Sequence, residues 1–94
     1  MFAMQMEPDG VVRLSGRLDA SQAERAIDEL ETISGPLVLD CTDLEYISSA
    51  GLSVMLMTHK RLMAAGHEFR LKNLQPKVRN VLTYAGLNRI LQIE

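Results

Sequence analysis

Apolar and polar positions along this chain fall into short blocks whose period switches between two and about 3.6 residues. Phe2-Ala3-Met4-Gln5-Met6 alternates loosely and predicts an edge strand, closed by a turn at Pro8-Asp9-Gly10. Val11 to Gly16 predicts the second arm of a hairpin, with Val12 and Leu14 on one face. Ala23, Ala26, Ile27, Leu30 and Ile33 then recur at helical spacing, with Glu24, Arg25, Asp28, Glu29 and Glu31 on the other side. Ser21 with Glu24 three residues later predicts a capping box at the start of this helix, and Gly35-Pro36 stops it.

Leu37-Val38-Leu39-Asp40 is apolar without alternation, the pattern of a central strand covered on both faces. Thr42 to Tyr46 reads as a connection, anchored inward by Leu44 and Ile47. A second helix is predicted from about Ala50 to Ala65, ending at Gly66, and Phe69-Arg70-Leu71 forms a further strand. Pro76 opens a third helix whose apolar face is Val78, Val81, Leu82 and Ala85; Gly86 caps it, and Ile90 to Ile93 is a last short strand. The order β-β-α-β-α-β-α-β predicts an α/β fold in one domain over 1–94. Its mixed sheet would have four to five strands with three or four helices, and the first hairpin would supply an antiparallel edge.

Composition narrows the function classes. At 94 residues and 47% hydrophobic content the chain can bury one core, which must be aliphatic because there is no Trp and only two Tyr and two Phe. Ten basic and twelve acidic side chains give a net charge of −2 with no block of like charge, so the footprint of a nucleic-acid binder is missing. The single cysteine, Cys41, precludes an internal disulfide and reads as a small core residue. No stretch has the length of a membrane span and no signal pattern opens the chain, so a cytoplasmic monomer without direct membrane insertion is expected. No Cys/His grouping has metal-ligand spacing, and Gly-rich phosphate loops and a Gly-x-Ser-x-Gly elbow are absent. The expectation is no metal, no cofactor and no enzyme activity. His59 is expected as a satisfied, partly buried histidine and His67 as a solvated one.

The chemistry concentrates in Ile47-Ser48-Ser49-Ala50-Gly51-Leu52, between the central strand and the second helix. Ser48 or Ser49 falls at the helix N-cap, where a hydroxyl accepts a hydrogen bond from a free backbone N–H. The same helix end carries unpaired donors and partial positive charge, so a serine exposed there can also carry a phosphate as a reversible charge switch. With Leu52, Met55, Leu56 and Leu62 turned inward, the outward pole falls on Ala50, Val54, Met57 and Arg61. Ala50, Ser53, Val54 and Met57 would then form an apolar docking patch beside Ser49. Asp40 and Asp43 read as turn and cap residues, with orientation of Ser49 or of a kinase's metal as the alternative.

Four landmarks resemble the STAS domain, the family named for sulfate transporters and anti-sigma factor antagonists. They are Leu14-Ser15-Gly16-Arg17-Leu18-Asp19, Leu37 to Asp40 leading into Ile47 to Leu52, Gly66 before Phe69-Arg70-Leu71, and Val78 to Leu87. The compact length is similar to that of stand-alone bacterial anti-sigma factor antagonists. That resemblance implies a partner switch. The unmodified antagonist binds an anti-sigma factor that is itself a serine kinase of GHKL type, phosphorylation of one serine releases it, and a serine phosphatase resets it. The family motif, Asp-Ser-Ser-Gly or Asp-Ser-Thr-Gly, lays its modified serine on Ser49, with Ser48 as the alternative. Here Ser48 stands where the motif has aspartate and Ala50 where it has the second hydroxyl. The resemblance also matches Asp19 to the aspartate of the family's early Gly-x-Leu-Asp motif, near the switch serine; together with the helix-face reading, the expected partner surface is Asp19, Ser48, Ala50, Gly51, Ser53, Val54 and Met57. The alternative implication of the resemblance is a constitutive subunit of a membrane lipid ABC transporter, bound permanently to the ATPase.

Overall fold

Pro8-Asp9-Gly10 turns the chain back on itself with Gly10 at φ +75°, the left-handed residue that a three-residue hairpin loop needs, and the Glu7 N–H closes the loop on the Val11 carbonyl at 2.8 Å. In the computed structural model, which describes Met1 to Glu94, this hairpin joins β1 (Phe2–Met6) to β2 (Val11–Leu18). There follow α1 (Ala20–Leu30), β3 (Leu37–Ile47), α2 (Ser49–Ala64), β4 (Phe69–Lys72), α3 (Pro76–Tyr84), a 3-10 turn at Leu87–Arg89, and β5 (Gln92–Ile93). The predicted element order holds. The five strands lie in the order β1-β2-β3-β4-β5, with the first pair antiparallel and the rest parallel.

That order has a consequence for layering. Each crossover carries the chain one strand further in the same direction, so right-handed crossovers put all three helices on one side of the sheet. Val12, Leu14, Leu39, Cys41, Phe69 and Leu71 face the helices and are buried. Arg13, Val38, Asp40, Arg70 and Lys72 face the other way and are half-buried or exposed. The expectation that the central strand is covered on both faces is therefore corrected: burial alternates along Leu37 to Cys41.

β3 is also longer than expected, and Thr42 to Tyr46 belongs to it rather than to a connection. Its register against β2 slips twice, between Arg13 and Ser15 and between Gly16 and Arg17. Each slip inserts one extra β3 residue, which turns Leu44 and then Ile47 back to the core side at a spacing of three rather than two. The first bulge is filled by Asp40. Its carboxylate accepts from the Thr42 hydroxyl at 2.6 Å, the Thr42 N–H at 3.1 Å and the Asn73 amide at 3.1 Å. The Gln75 amide donates to the Thr42 carbonyl at 2.9 Å, so the loop before α3 is stitched to the same bulge. Asp40 thus does turn chemistry within the strand, whereas Asp43 makes only an ion pair with Arg13 at 3.4 Å; Arg13 also lies 4.0 Å from Asp40.

The Thr42 hydroxyl, joined by Asn73, holds the Asp40 carboxyl below the usual carboxylate range. A carboxylate depressed in the folded state contributes stability above its unfolded pKa, about 3.9, and that contribution is lost as pH falls through the lower folded value. Thermal melts from neutral pH into that acidic range should show the native protein losing a share of Tm that an Asp40→Asn variant does not lose. Parallel acid profiles for the two proteins would refute this.

Arg61 ties two helices together. Its guanidinium reaches the carbonyls of Leu30 and Ile33, at 2.8 and 3.0 Å, and so caps the C-terminal end of α1 from α2. Hydrogen bonds from charged donors are worth about 1.5–3 kcal/mol, and Arg61 is half-buried. Arg61→Ala should lower unfolding stability by about 1–3 kcal/mol in a urea titration, with Arg61→Lys intermediate because a single ammonium cannot span both carbonyls. No helix is long and apolar enough to cross a membrane.

Candidate functional site

β2 and β3 end side by side, with Leu18 opposite Ile47. The next residue in each strand, Asp19 and Ser48, is the N-cap of the following helix. Two helices therefore begin next to each other at one end of the sheet. Asp19 accepts from the Ser21 N–H at 3.0 Å and its hydroxyl at 2.6 Å, and these bonds, the side-chain one foremost, lower its pKa. The capping box predicted at Ser21 is thereby corrected. Ser21 lies inside α1, because Asp19 follows the strand directly and its carboxylate is the stronger acceptor.

At α2 the capping residue is Ser48. Its hydroxyl accepts from the Gly51 N–H at 3.3 Å, and its own N–H donates to the Leu18 carbonyl at 3.0 Å. Ser48 is half-buried and occupied by this work; Ser49, the first residue of α2, is exposed. The Ser49 hydroxyl makes no hydrogen bond within the chain, and the Ser49 and Ala50 N–H groups have no backbone acceptor because they lie in the first turn. The two serines are thus separated in role: one holds the helix, the other stands in solvent.

Gly51 fixes how close α2 comes. A Cβ there would lie 2.7 Å from the Leu18 carbonyl oxygen and 2.6 Å from the Ile47 side chain. With Gly51 turned in, the buried stripe of α2 is Gly51, Val54, Met55, Thr58 and Leu62. The expected phase of this helix is corrected by about 80°, with Met55 and Leu62 inward in both. Val54 is fully buried rather than at the outward pole, and Gly51 is also buried, so neither offers surface to a partner. The outward strip is Ser49, Ser53, Met57 and Lys60, flanked by Ala50, Leu52 and Leu56, all half-buried. Met57 is 50% exposed. Leu52 and Leu56, expected inward from periodicity, are half-buried: they pack against the core and also border this strip.

Beside Ile47 on the opposite sheet face, the Arg17 guanidinium lies 4.1 Å from the Tyr46 ring centroid. Cys41 is buried, and desolvation raises its pKa to about 12, so it is an inert thiol. His59 is half-buried as expected, but its Nδ1 is sealed in without a hydrogen-bond partner, against the expectation of a satisfied ring.

The family model described as Mlab, STAS domain matches residues 2–92. The chain belongs to the STAS family. This STAS domain is 37% identical over 84 residues to BtrV of Bordetella bronchiseptica, described as an anti-sigma factor antagonist, with 85% of this chain and 72% of that protein covered. It is 31% identical over 90 residues to an anti-sigma F factor antagonist of Paenibacillus polymyxa, covering 88% and 75%. A crystal structure from Thermotoga maritima, also described as an anti-sigma factor antagonist, superposes with a TM-score of 0.78 at 29% identity, covering 98% of this chain and 84% of that one. By sequence and by structure, the STAS domain described here falls among the anti-sigma factor antagonists.

Proposed function

We propose that this STAS domain is the antagonist in a phosphorylation-controlled partner switch, with Ser49 as the switch residue. In its unmodified form it binds an anti-sigma factor that is also a GHKL-type serine kinase; phosphorylation of Ser49 ejects that partner, and a serine phosphatase restores binding. The observation that carries this reading is the division of labour between the two serines. A kinase needs a hydroxyl it can reach, and the exposed Ser49 is one, whereas Ser48 is engaged as the cap. Docking is placed on the strip of Ser49, Ser53 and Met57, with Ala50 and the two caps Asp19 and Ser48 at its edge.

A phosphate on Ser49 adds about −1.5 to −2 charges beside the free N–H groups of the first turn, which can receive it without moving the helix. Its effect is on the partner, which meets charge where it met a hydroxyl. Incubation with the cognate kinase and ATP, followed by mapping of the phosphate, tests the assignment: Ser49→Ala should abolish incorporation. Undiminished stoichiometric labelling of that variant would move the site to Ser48. The competing reading is a constitutive subunit of a lipid transporter, in which Ser49 is structural. The free Ser49 hydroxyl favours the switch, and copurification with a transporter ATPase instead of a kinase would overturn it.

A further inference from the structure

The outer edge of β1 is unprotected. In the β1–β2 ladder the Arg17 N–H donates to the Met1 carbonyl and the Glu7 N–H to the Val11 carbonyl, both at 2.8 Å. Since Phe2 lies opposite Gly16, these are directly opposed pairs, and antiparallel ladders alternate bonded and non-bonded pairs. The odd-numbered residues of β1 therefore bond to β2, and the N–H and C=O groups of Phe2, Met4 and Met6 point outward from the sheet. Native edges are usually blunted by charge, proline, a bulge or shortness. The sequence Phe2-Ala3-Met4-Gln5-Met6 has no charge and no proline, and its pairing with β2 runs without a register shift. The opposite edge is treated differently: β5 is two residues long, followed by Glu94, which faces Arg70.

We infer that β1 pairs antiparallel with β1 of a second copy, about a two-fold axis through Met4. The edge is self-complementary in that register. Met4 opposes the second copy's Met4, and Phe2 opposes its Met6. All three outward-facing residues then exchange main-chain bonds in pairs. Even-numbered side chains share the helix side of the sheet, so the pairing sets Met6, 51% exposed in the single chain, against Phe2 of the second copy. An uncharged strand offers a charged foreign segment nothing to select, whereas identity of the two strands satisfies both at once. Two five-residue strands bury less than the roughly 1,000 Å² of a standing interface, so the dimer is concentration-dependent and dilute protein is monomeric.

Met4→Pro is the direct test. It deletes an N–H that β2 does not use, and proline is tolerated on an edge whose N–H faces solvent. By sedimentation equilibrium from about 10 µM to about 1 mM, the native weight-average mass should climb from 10.5 kDa toward twice that value. Met4→Pro should stay at the monomer mass throughout. Met6→Lys changes an exposed side chain, keeps the fold, and sets a charge against the second copy's Phe2; it should also remain monomeric, and decides the matter should the proline variant lose its native melt. A native mass that is constant over the range overturns the inference, as does association undiminished in Met6→Lys or in a folded Met4→Pro.

Discussion

Ser49→Asp should weaken binding to the proposed kinase partner by about thirtyfold to several thousandfold in a calorimetric titration. The figure follows from the cost of leaving a charge unpaired in a desolvated contact, about 2–5 kcal/mol, with each 1.4 kcal/mol worth a factor of ten. Ser49→Ala should bind almost as well as the native protein, because the Ser49 hydroxyl has no partner within the chain to lose. The sharper contrast is with Ser48. Ser48→Ala removes the acceptor of the Gly51 N–H and should cost about 1 kcal/mol of fold stability with affinity little changed. Full affinity in Ser49→Asp would remove charge as the releasing agent. A destabilisation larger in Ser49→Ala than in Ser48→Ala would reverse the roles assigned to the two serines.

Gly51→Ala should lower unfolding stability by about 1–3 kcal/mol, the usual range for overpacking a close contact. For a chain of this length each kcal/mol moves Tm by about 4–8 °C. One of the atoms in the way, the Leu18 carbonyl oxygen, is backbone and belongs to β2; it also accepts the Ser48 N–H. Relief therefore requires α2 to back away from the sheet, which disturbs the cap and the stripe beneath it. The variant should also bind its partner less well, since the Ser49 strip rides on the same helix. A melt within about 2 °C of the native protein would show that the contact yields cheaply.

The element order was legible because each block has its own period and its own stop signal. Gly66 and Gly86 follow the ends of α2 and α3 at φ +78°, and Ser48 sits where a cap belongs, whereas α1, expected to run on to the stop at Gly35-Pro36, already ends at Leu30. The phase of α2 was not legible. Leu52, Val54, Met55, Leu56, Met57, Leu62 and Met63 nearly encircle that helix, so several choices of inward face satisfy hydropathy. Two residues that hydropathy ranks low decide the matter. Gly51 permits the closest approach, and Thr58 is buried because its hydroxyl donates to the Val54 carbonyl at 2.8 Å. The extension of β3 was hidden for a related reason. Two bulges break the alternation by which a strand is recognised, and the residues that fill the first of them, Asp40 and Asn73, lie thirty-three positions apart. The shift of the first cap from Ser21 to Asp19 was a choice between two good acceptors, made by where β2 ends.

The bond from Arg61 to the tail of α1 and the adjoining starts of α1 and α2 pin this helix pair at both extremities. A pair held in that way is braced against opening at either end. Information written on the domain cannot travel through it as displacement, and must be read where it is written. Under the proposed switch, the tempo would be set by the kinase and phosphatase, with no slow rearrangement of the carrier in between.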